Sequence, residues 1–126
     1  MAEPRGAARP PGWPAGVLPS DAPGWEATAT AWLLDQCPPD YRDYEVLRRH
    51  PVVLCRFAAH HVVGALGAAR AAYAGARREL GPLVEPDVLQ SAMRALEAEG
   101  ARLGRVQREI ELVEQALMGR RWRPRL

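Results

Sequence analysis

The fold of this chain is decided by residues 51–80, PVVLCRFAAHHVVGALGAARAAYAGARREL, and by residues 86–118, PDVLQSAMRALEAEGARLGRVQREIELVEQALM. In the first segment, apolar residues recur at alternating spacings of three and four: Val52, Cys55, Ala59, Val62, Leu66, Ala69, Tyr73, Ala76 and Leu80. In the second segment, leucine or isoleucine recurs at every seventh position: Leu89, Leu96, Leu103, Ile110 and Leu117. Both patterns are typical of a helix that packs along its length against another helix, as in a coiled coil.

The ends of these two helices carry recognisable start and stop residues. Pro51 and Pro86 suit a first helical turn, where the missing N–H costs nothing. Gly81 and Pro82 end the first helix, since glycine can take a positive φ and proline cannot continue a helix. Gly119 fits the position that follows the second helix. We therefore predict an all-α fold built on a long antiparallel helical hairpin, with helices about 45 and 50 Å long.

The charges of the two segments support their pairing. Residues 51–80 hold four Arg and one Glu, a net charge of +3, whereas residues 81–118 hold four Arg and seven acids, a net charge of −3. An exposed ion pair contributes only about 0–1 kcal/mol, so the charges guide pairing more than they stabilise it. Glycines inside both segments either allow close approach of the backbones or reflect a general preference for small residues, and both readings stay open.

Two shorter helices are predicted before the hairpin, and together these elements form a helical domain over residues 25–119. The first short helix covers residues 25–36, WEATATAWLLDQ, in which Trp25, Ala29, Trp32 and Leu33 share one face. Such a face would cover part of the hairpin. The second covers residues 41–49, YRDYEVLRR, and ends before Pro51.

Residues 1–24 are predicted to be a disordered arm, because they hold six prolines and four glycines. A second reading is an arm that lays Trp13 into a groove of its own domain or of a partner, and Trp13 is therefore a candidate partner-binding residue.

Residues 120–126, RRWRPRL, form a basic tail with four Arg and one Trp. Arginines interleaved with an aromatic residue can contact phosphates and stack on bases. The candidate partner-binding residues here are Arg120, Arg121, Trp122, Arg123 and Arg125, together with Arg48 and Arg49 in the second short helix. The alternatives are a solvated tail and a tail whose Trp122 packs back on the helices.

Composition limits the class of protein. The chain has 126 residues and a net charge of +2, which requires no polyanionic partner. Residues 1–24 lack the apolar core of a signal peptide, and the most apolar window, residues 57–69, is short for a membrane span. We therefore expect a cytoplasmic protein that does not enter the membrane. Cys37 and Cys55 are too few for a disulfide framework, and their redox state stays open.

Motifs for catalysis are missing from the sequence. It has no glycine-rich phosphate loop, nucleophile elbow or zinc-ligand spacing. The residues His50, Cys55, His60 and His61 resemble a metal set in type, but they do not share one helical face. We therefore assign no catalytic, cofactor-binding or metal residue.

The expected function is a non-enzymatic helical interaction or adaptor module with a protein partner. The hairpin would also form a homodimer if the short helices leave its apolar side open. The alternative is a nucleic-acid-associated regulatory accessory protein that uses the arginine-rich tail.

Residues 31–54, AWLLDQCPPDYRDYEVLRRHPVVL, with Trp25 before them and the closing Arg-Pro-Arg-Leu, carry a resemblance. The sequence resembles a group of small uncharacterised helical proteins from high-GC actinobacteria over most of the chain from Trp25 onward. The resemblance implies a bacterial, self-contained helical unit, and it brings no catalytic or binding residue with it.

Overall fold

The computed structural model describes residues 9–119, and within them it confirms the all-α hairpin. The elements, in chain order, are α1 (Trp25–Asp35), a 3₁₀ helix (Pro39–Asp43), α2 (Glu45–Arg49), α3 (Pro51–Leu80) and α4 (Pro86–Leu117). Helices α3 and α4 pack against each other as the long antiparallel pair. Their observed bounds match the predicted ones to within one residue, because proline or glycine lies at three of the four ends.

The apolar pattern of α3 places the interface with α4 as predicted over its central part. Cys55, Val62, Leu66 and Ala69 are buried, and on α4 the buried residues include Leu103, Val106, Ile110 and Val113. Val52 and Tyr73, which belong to the same pattern, are exposed. Leu54 and Ala58 are buried in addition, because α1 and α2 cover a second side of α3 that a hairpin alone would leave open.

The hydrophobic core occupies only one half of the hairpin, which we call the base: residues 9–69 and 101–119. The core joins side chains of the arm, α1 and α2 to the first half of α3 and the second half of α4. The other half, residues 70–100, is the tip, where α3 and α4 pack on each other alone. Among the residues of the tip, Ala76 and Met93 are buried but lie outside the core cluster. The fold is therefore a compact base from which a two-helix tip projects.

Residues 9–24 differ from the predicted disordered arm, because they turn back onto the base. Trp13, Pro14 and Val17 are buried, and the Trp13 ring lies 6.1 Å from that of Trp25, measured between centroids. The Trp13 indole Nε1 donates a hydrogen bond to the carbonyl oxygen of Val17 at 3.0 Å. Burial of these three side chains and the hydrogen bond of the indole offset the entropy of ordering a proline-rich segment. Trp13 therefore lies in a groove of its own domain, which was the alternative to a disordered arm.

The predicted helix over residues 41–49 is divided in two. A 3₁₀ helix ends at Asp43, and Tyr44 then takes an extended conformation, with φ −87° and ψ 107°, before α2 begins. So short a segment has little helical stability of its own. Its packing decides the conformation instead: Leu47 is fully buried, and Tyr41 contacts Phe57 of α3 with ring centroids 6.0 Å apart.

The turn between α3 and α4 uses Gly81 in a different way from the prediction. Gly81 has φ −52° and ψ −43°, which is ordinary right-handed helix rather than positive φ. Glycine is required there because a Cβ would clash with the carbonyl oxygen of Arg77. Gly119, by contrast, has φ +82°, as expected for the residue after a helix.

Among residues 9–119, α3 is the one helix long and apolar enough to cross a membrane, judged by length and composition only. A core helix of a soluble protein can meet the same criteria of length and composition, but such a helix is mostly buried. In α3, however, only 33% of the apolar window is buried inside the protein. Much of the apolar surface of α3 therefore lies on the outside of the molecule.

Candidate interaction surface

Six exposed residues of α3 form a continuous surface that we call the outer face: Phe57, His60, Gly64, Gly67, Ala68 and Ala71. Successive residues of a helix turn by about 100° around its axis, so these residues lie opposite the side that packs on α4. Residues 57–69 contain no charged side chain. Phe57 is 44% exposed, and Val63 at the edge of this face is 50% exposed. An exposed helical face normally carries charged and polar residues, so this face is unusual for a surface.

Two glycines lie at the centre of the outer face. A Cβ added to Gly64 or Gly67 would meet no atom of residues 9–119 within 4 Å. Glycine inside a helix costs roughly 0.5–1 kcal/mol relative to alanine. No contact inside the described chain offsets that cost, and the two positions provide a flat site where another backbone can approach closely.

Aromatic side chains border the outer face at its base end. The Tyr41 ring lies 6.0 Å from Phe57, 6.1 Å from Tyr44 and 6.2 Å from the His61 ring, measured between centroids. Tyr44 is 51% exposed. Arg42 of the 3₁₀ helix pairs with Asp35 at the end of α1 at 2.6 Å.

Charged side chains border the outer face at both of its ends. At the base end, the exposed carboxylates of Asp40 and Asp43 flank Tyr41 along the chain. Toward the tip, α3 carries the exposed Arg70, Arg77 and Arg78. The exposed Arg42, Arg48, Arg49 and Arg56 lie at the base end as well, and Arg78 pairs with Glu79 at the other end. The outer face is thus an uncharged strip with charges of both signs at each end.

Two grooves lie along the contact between α3 and α4, and neither is lined by a residue of the outer face. The larger groove, about 310 Å³, lies between the end of α1 and the hairpin, and it is lined in part by Asp35, His61, Glu99 and Arg102. The Arg102 guanidinium donates hydrogen bonds to Glu99, which lowers the pKa of that carboxyl. The smaller groove, about 270 Å³, is crossed by a hydrogen bond of 3.0 Å from Tyr73 to Glu97.

Both cysteines are free thiols within the core. Burial raises the pKa of Cys37 to about 11 and that of Cys55 to about 12, and the Glu114 carboxylate adds to the shift at Cys55. Thiols react as thiolates, so both side chains are inert near neutral pH. Among residues 9–119, no three side chains of His, Cys, Asp or Glu are grouped in a way that could hold a metal ion.

The predicted partner-binding residues are not brought together into one site. Trp13 is a core residue rather than a surface one. Arg48 and Arg49 are exposed on α2, where Arg48 donates a hydrogen bond to the Arg42 carbonyl and Arg49 pairs with Glu45 at 2.8 Å. The remaining predicted residues, Arg120, Arg121, Trp122, Arg123 and Arg125, lie outside the described residues.

The outer face is a surface that the sequence analysis missed. The apolar repeat of α3 identified the side that packs inside the hairpin, and the glycines and the apolar window of residues 57–69 were not assigned to a surface. The signal was nevertheless present in the sequence, as the run of residues 57–69 without a charge.

Comparisons of the chain with protein-family models, with curated proteins and with solved structures find no match. Its function is therefore inferred from the described residues themselves.

Proposed function

We propose that this protein is a non-enzymatic interaction module that binds a protein partner through the outer face of α3. The observation that carries the proposal is an uncharged, exposed helical face with Phe57 at one end and two open glycines at its centre. Apolar surface of this kind costs free energy in water, and contiguous patches of it commonly mark interaction sites.

The core of the base supports the same reading. Trp13, Trp25, Leu33 and Leu47 already fill the space around the first half of α3. The outer face takes no part in that core, so packing among residues 9–119 does not explain its apolar character. A partner helix laid along α3 would cover it, because small residues allow two helices to pack at short distance.

Site-specific photocrosslinking in cells of the source organism tests this proposal. A benzophenone amino acid placed at the exposed His60 should crosslink to a discrete protein species. The matched control is the same amino acid at Ser91, which is exposed on α4 away from the outer face. Crosslinks that are absent at both positions, or equal at both, would contradict the proposal.

A further inference from the structure

We propose that the turn between α3 and α4 docks into an apolar pocket of a protein partner, and that Lys or Arg side chains border this pocket. We call this turn the apex: residues 80–89, at the end of the tip farthest from the base. The apex begins about 14 Å along α3 beyond Ala71, the last residue of the outer face. It is therefore a second contact, and the inference goes beyond the proposed function.

The apex exposes large apolar side chains close together. Leu83 is 75% exposed, the highest value among the large hydrophobic residues of the described chain, and Val88 is 50% exposed. Leu80, Val84 and Leu89 beside them are half-buried. A single exposed leucine is common on protein surfaces, whereas several apolar residues within one turn favour an interaction site.

The backbone of the apex is constrained by hydrogen bonds and by proline. The amides of Leu83 and Val84 donate to the Leu80 carbonyl at 2.8 and 3.0 Å. Pro82 and Pro86 fix the φ angle at two further positions. A contact surface that is already ordered loses little conformational entropy when it binds, so the apex is well suited to docking.

The tip holds the apex away from the rest of the molecule. On α3 the core cluster ends at Ala69, and the helix then runs about 17 Å further to Leu80. Among the described residues, none between Ala69 and Leu103 belongs to that cluster. The tip therefore adds little to the core, and it presents a narrow convex end. A convex end is complementary to a pocket rather than to a flat surface.

The charges of the apex indicate what borders the pocket of the partner. Residues 80–93 hold two acids, Glu85 and Asp87, both exposed, and no basic residue. Arg77 and Arg78 precede the apex on α3, and Arg78 pairs with the neighbouring glutamate at 3.6 Å. The side of the apex that belongs to α4 is therefore acidic. Basic side chains at the border of the pocket complement it on that side.

The same two acids disfavour two other occupants. A second apex that met the first through its apolar side chains would bring the carboxylates of Glu85 and Asp87 from both copies together, and like charges repel. An anionic bilayer surface would repel these carboxylates in the same way. A protein pocket with a basic border is free of both penalties.

Photocrosslinking at the apex in cells of the source organism tests this inference. A benzophenone amino acid in place of Val88 should crosslink to a discrete protein species. Leu83→Asp in the same chain should lower the yield at least about 10-fold, because it removes the main apolar contact. Leu83 is exposed, so this variant should keep the melting temperature of its parent.

Charge reversal tests the chemistry of the partner. Glu85→Arg should also lower the crosslinking yield from position 88 at least about 10-fold, because it opposes the basic border. The side chain of Glu85 makes no capping hydrogen bond, so its replacement should leave α4 intact. The matched control is Glu111→Arg, an exposed position of α4 in the base, and it should leave the yield unchanged.

Each other outcome overturns the inference in a distinguishable way. A missing crosslink, or one that survives Leu83→Asp, excludes docking through the apex, and one that survives Glu85→Arg excludes the basic border. A crosslinked species of twice the chain mass identifies a second copy instead. Sedimentation with phosphatidylglycerol vesicles that Leu83→Asp abolishes identifies a membrane instead.

The two proposed contacts can fail independently. A partner of the outer face is crosslinked from His60, and a partner of the apex from Val88, so the masses of the two species distinguish them. Ser91 lies one helical turn from Val88, and a species crosslinked from both of these positions belongs to the apex. Loss of the species at His60 alone would overturn the proposed function and leave this inference in place.

Discussion

Trp13 connects the proline-rich arm to the helical base. Its ring contacts that of Trp25, its indole hydrogen bonds to Val17, and it is buried. The backbone around it is fitted closely to α1, since a Cβ at Gly16 would lie only 3.3 Å from Cδ1 of Trp32. The Thr28 hydroxyl accepts a hydrogen bond from the Leu18 amide at 3.1 Å and holds the end of the arm. The arm is therefore a structural part of the domain.

Trp13→Ala should lower the free energy of unfolding by about 3–5 kcal/mol, because it leaves a cavity between the arm and α1. Urea denaturation followed by circular dichroism measures the loss. Leu18→Ala is the control in the same segment, and it should cost less than about 1 kcal/mol because Leu18 is 38% exposed. Similar values for the two variants would show that the arm does not pack as described.

The buried thiols make the stability of the protein depend on pH in the alkaline range. Folding raises the pKa of Cys37 and Cys55 from 9.0 to about 11 and about 12. The folded state therefore holds protons that the unfolded state releases above pH 9, and the free energy of unfolding should fall as pH rises from about 9 toward about 12. Below pH 9 this contribution should be constant.

Urea midpoints at pH 7.5, 9 and 10.5 test this dependence, with a variant that carries Cys37→Ala and Cys55→Ala as the reference. The reference is expected to be less stable at pH 7.5, but its midpoint should fall less between pH 9 and 10.5. Parallel pH profiles of the two proteins would argue against titration of these thiols on unfolding.

At the level of elements, the two ends of the hairpin turn are set by different properties of glycine and proline. Pro86 begins α4 at a position where its missing N–H costs nothing. Gly81 continues the geometry of α3, and the amides of Leu83 and Val84 then bond to the Leu80 carbonyl at 2.8 and 3.0 Å. The turn is therefore closed by hydrogen bonds to α3 itself.

Gly81→Ala should destabilise the protein by about 1–3 kcal/mol, because the new methyl group would clash with the Arg77 carbonyl. Gly100→Ala is the matched control in α4 and should stabilise it by about 0.5–1 kcal/mol, since its Cβ meets nothing. Thermal unfolding of both variants measures the two effects. The same sign for both would contradict the assigned role of Gly81.

The sequence predicted the long helices well because their information is local. Proline and glycine mark their ends, and the repeat of apolar residues marks the side that packs. The structure of the arm and the break at Tyr44 could not be predicted in this way, since both depend on contacts with residues distant in sequence. Trp13 packs on Trp25, and Tyr41 packs on Phe57. The outer face was missed because the apolar repeat identifies only the side of each helix that packs inside the hairpin. It carries no information about contacts on the opposite side.

In the molecule as a whole, stability should be graded from base to tip. The base joins the arm, α1 and α2 to the hairpin, whereas the tip has only two helices. Amide hydrogen exchange should therefore be at least about 10-fold faster in residues 72–96 than in residues 54–66 and 103–113. Mass spectrometry of peptides from the exchanged protein measures the difference, and uniform protection along α3 would contradict the unequal distribution of the core.

The position of the core within the chain also has a consequence during synthesis. Trp13, Trp25 and Leu33 share their core with Leu103, Ile110 and Val113, which lie at the far end of the described sequence. The tip, by contrast, joins neighbouring segments across a short turn, so it can form early although it is weakly held. On the ribosome, the side of the base that packs on α4 therefore remains uncovered until the second half of α4 has emerged. A nascent chain that stalls before Leu103 exposes the side chains of Val62, Leu66 and Ala69, and transiently exposed apolar surface of this kind favours aggregation.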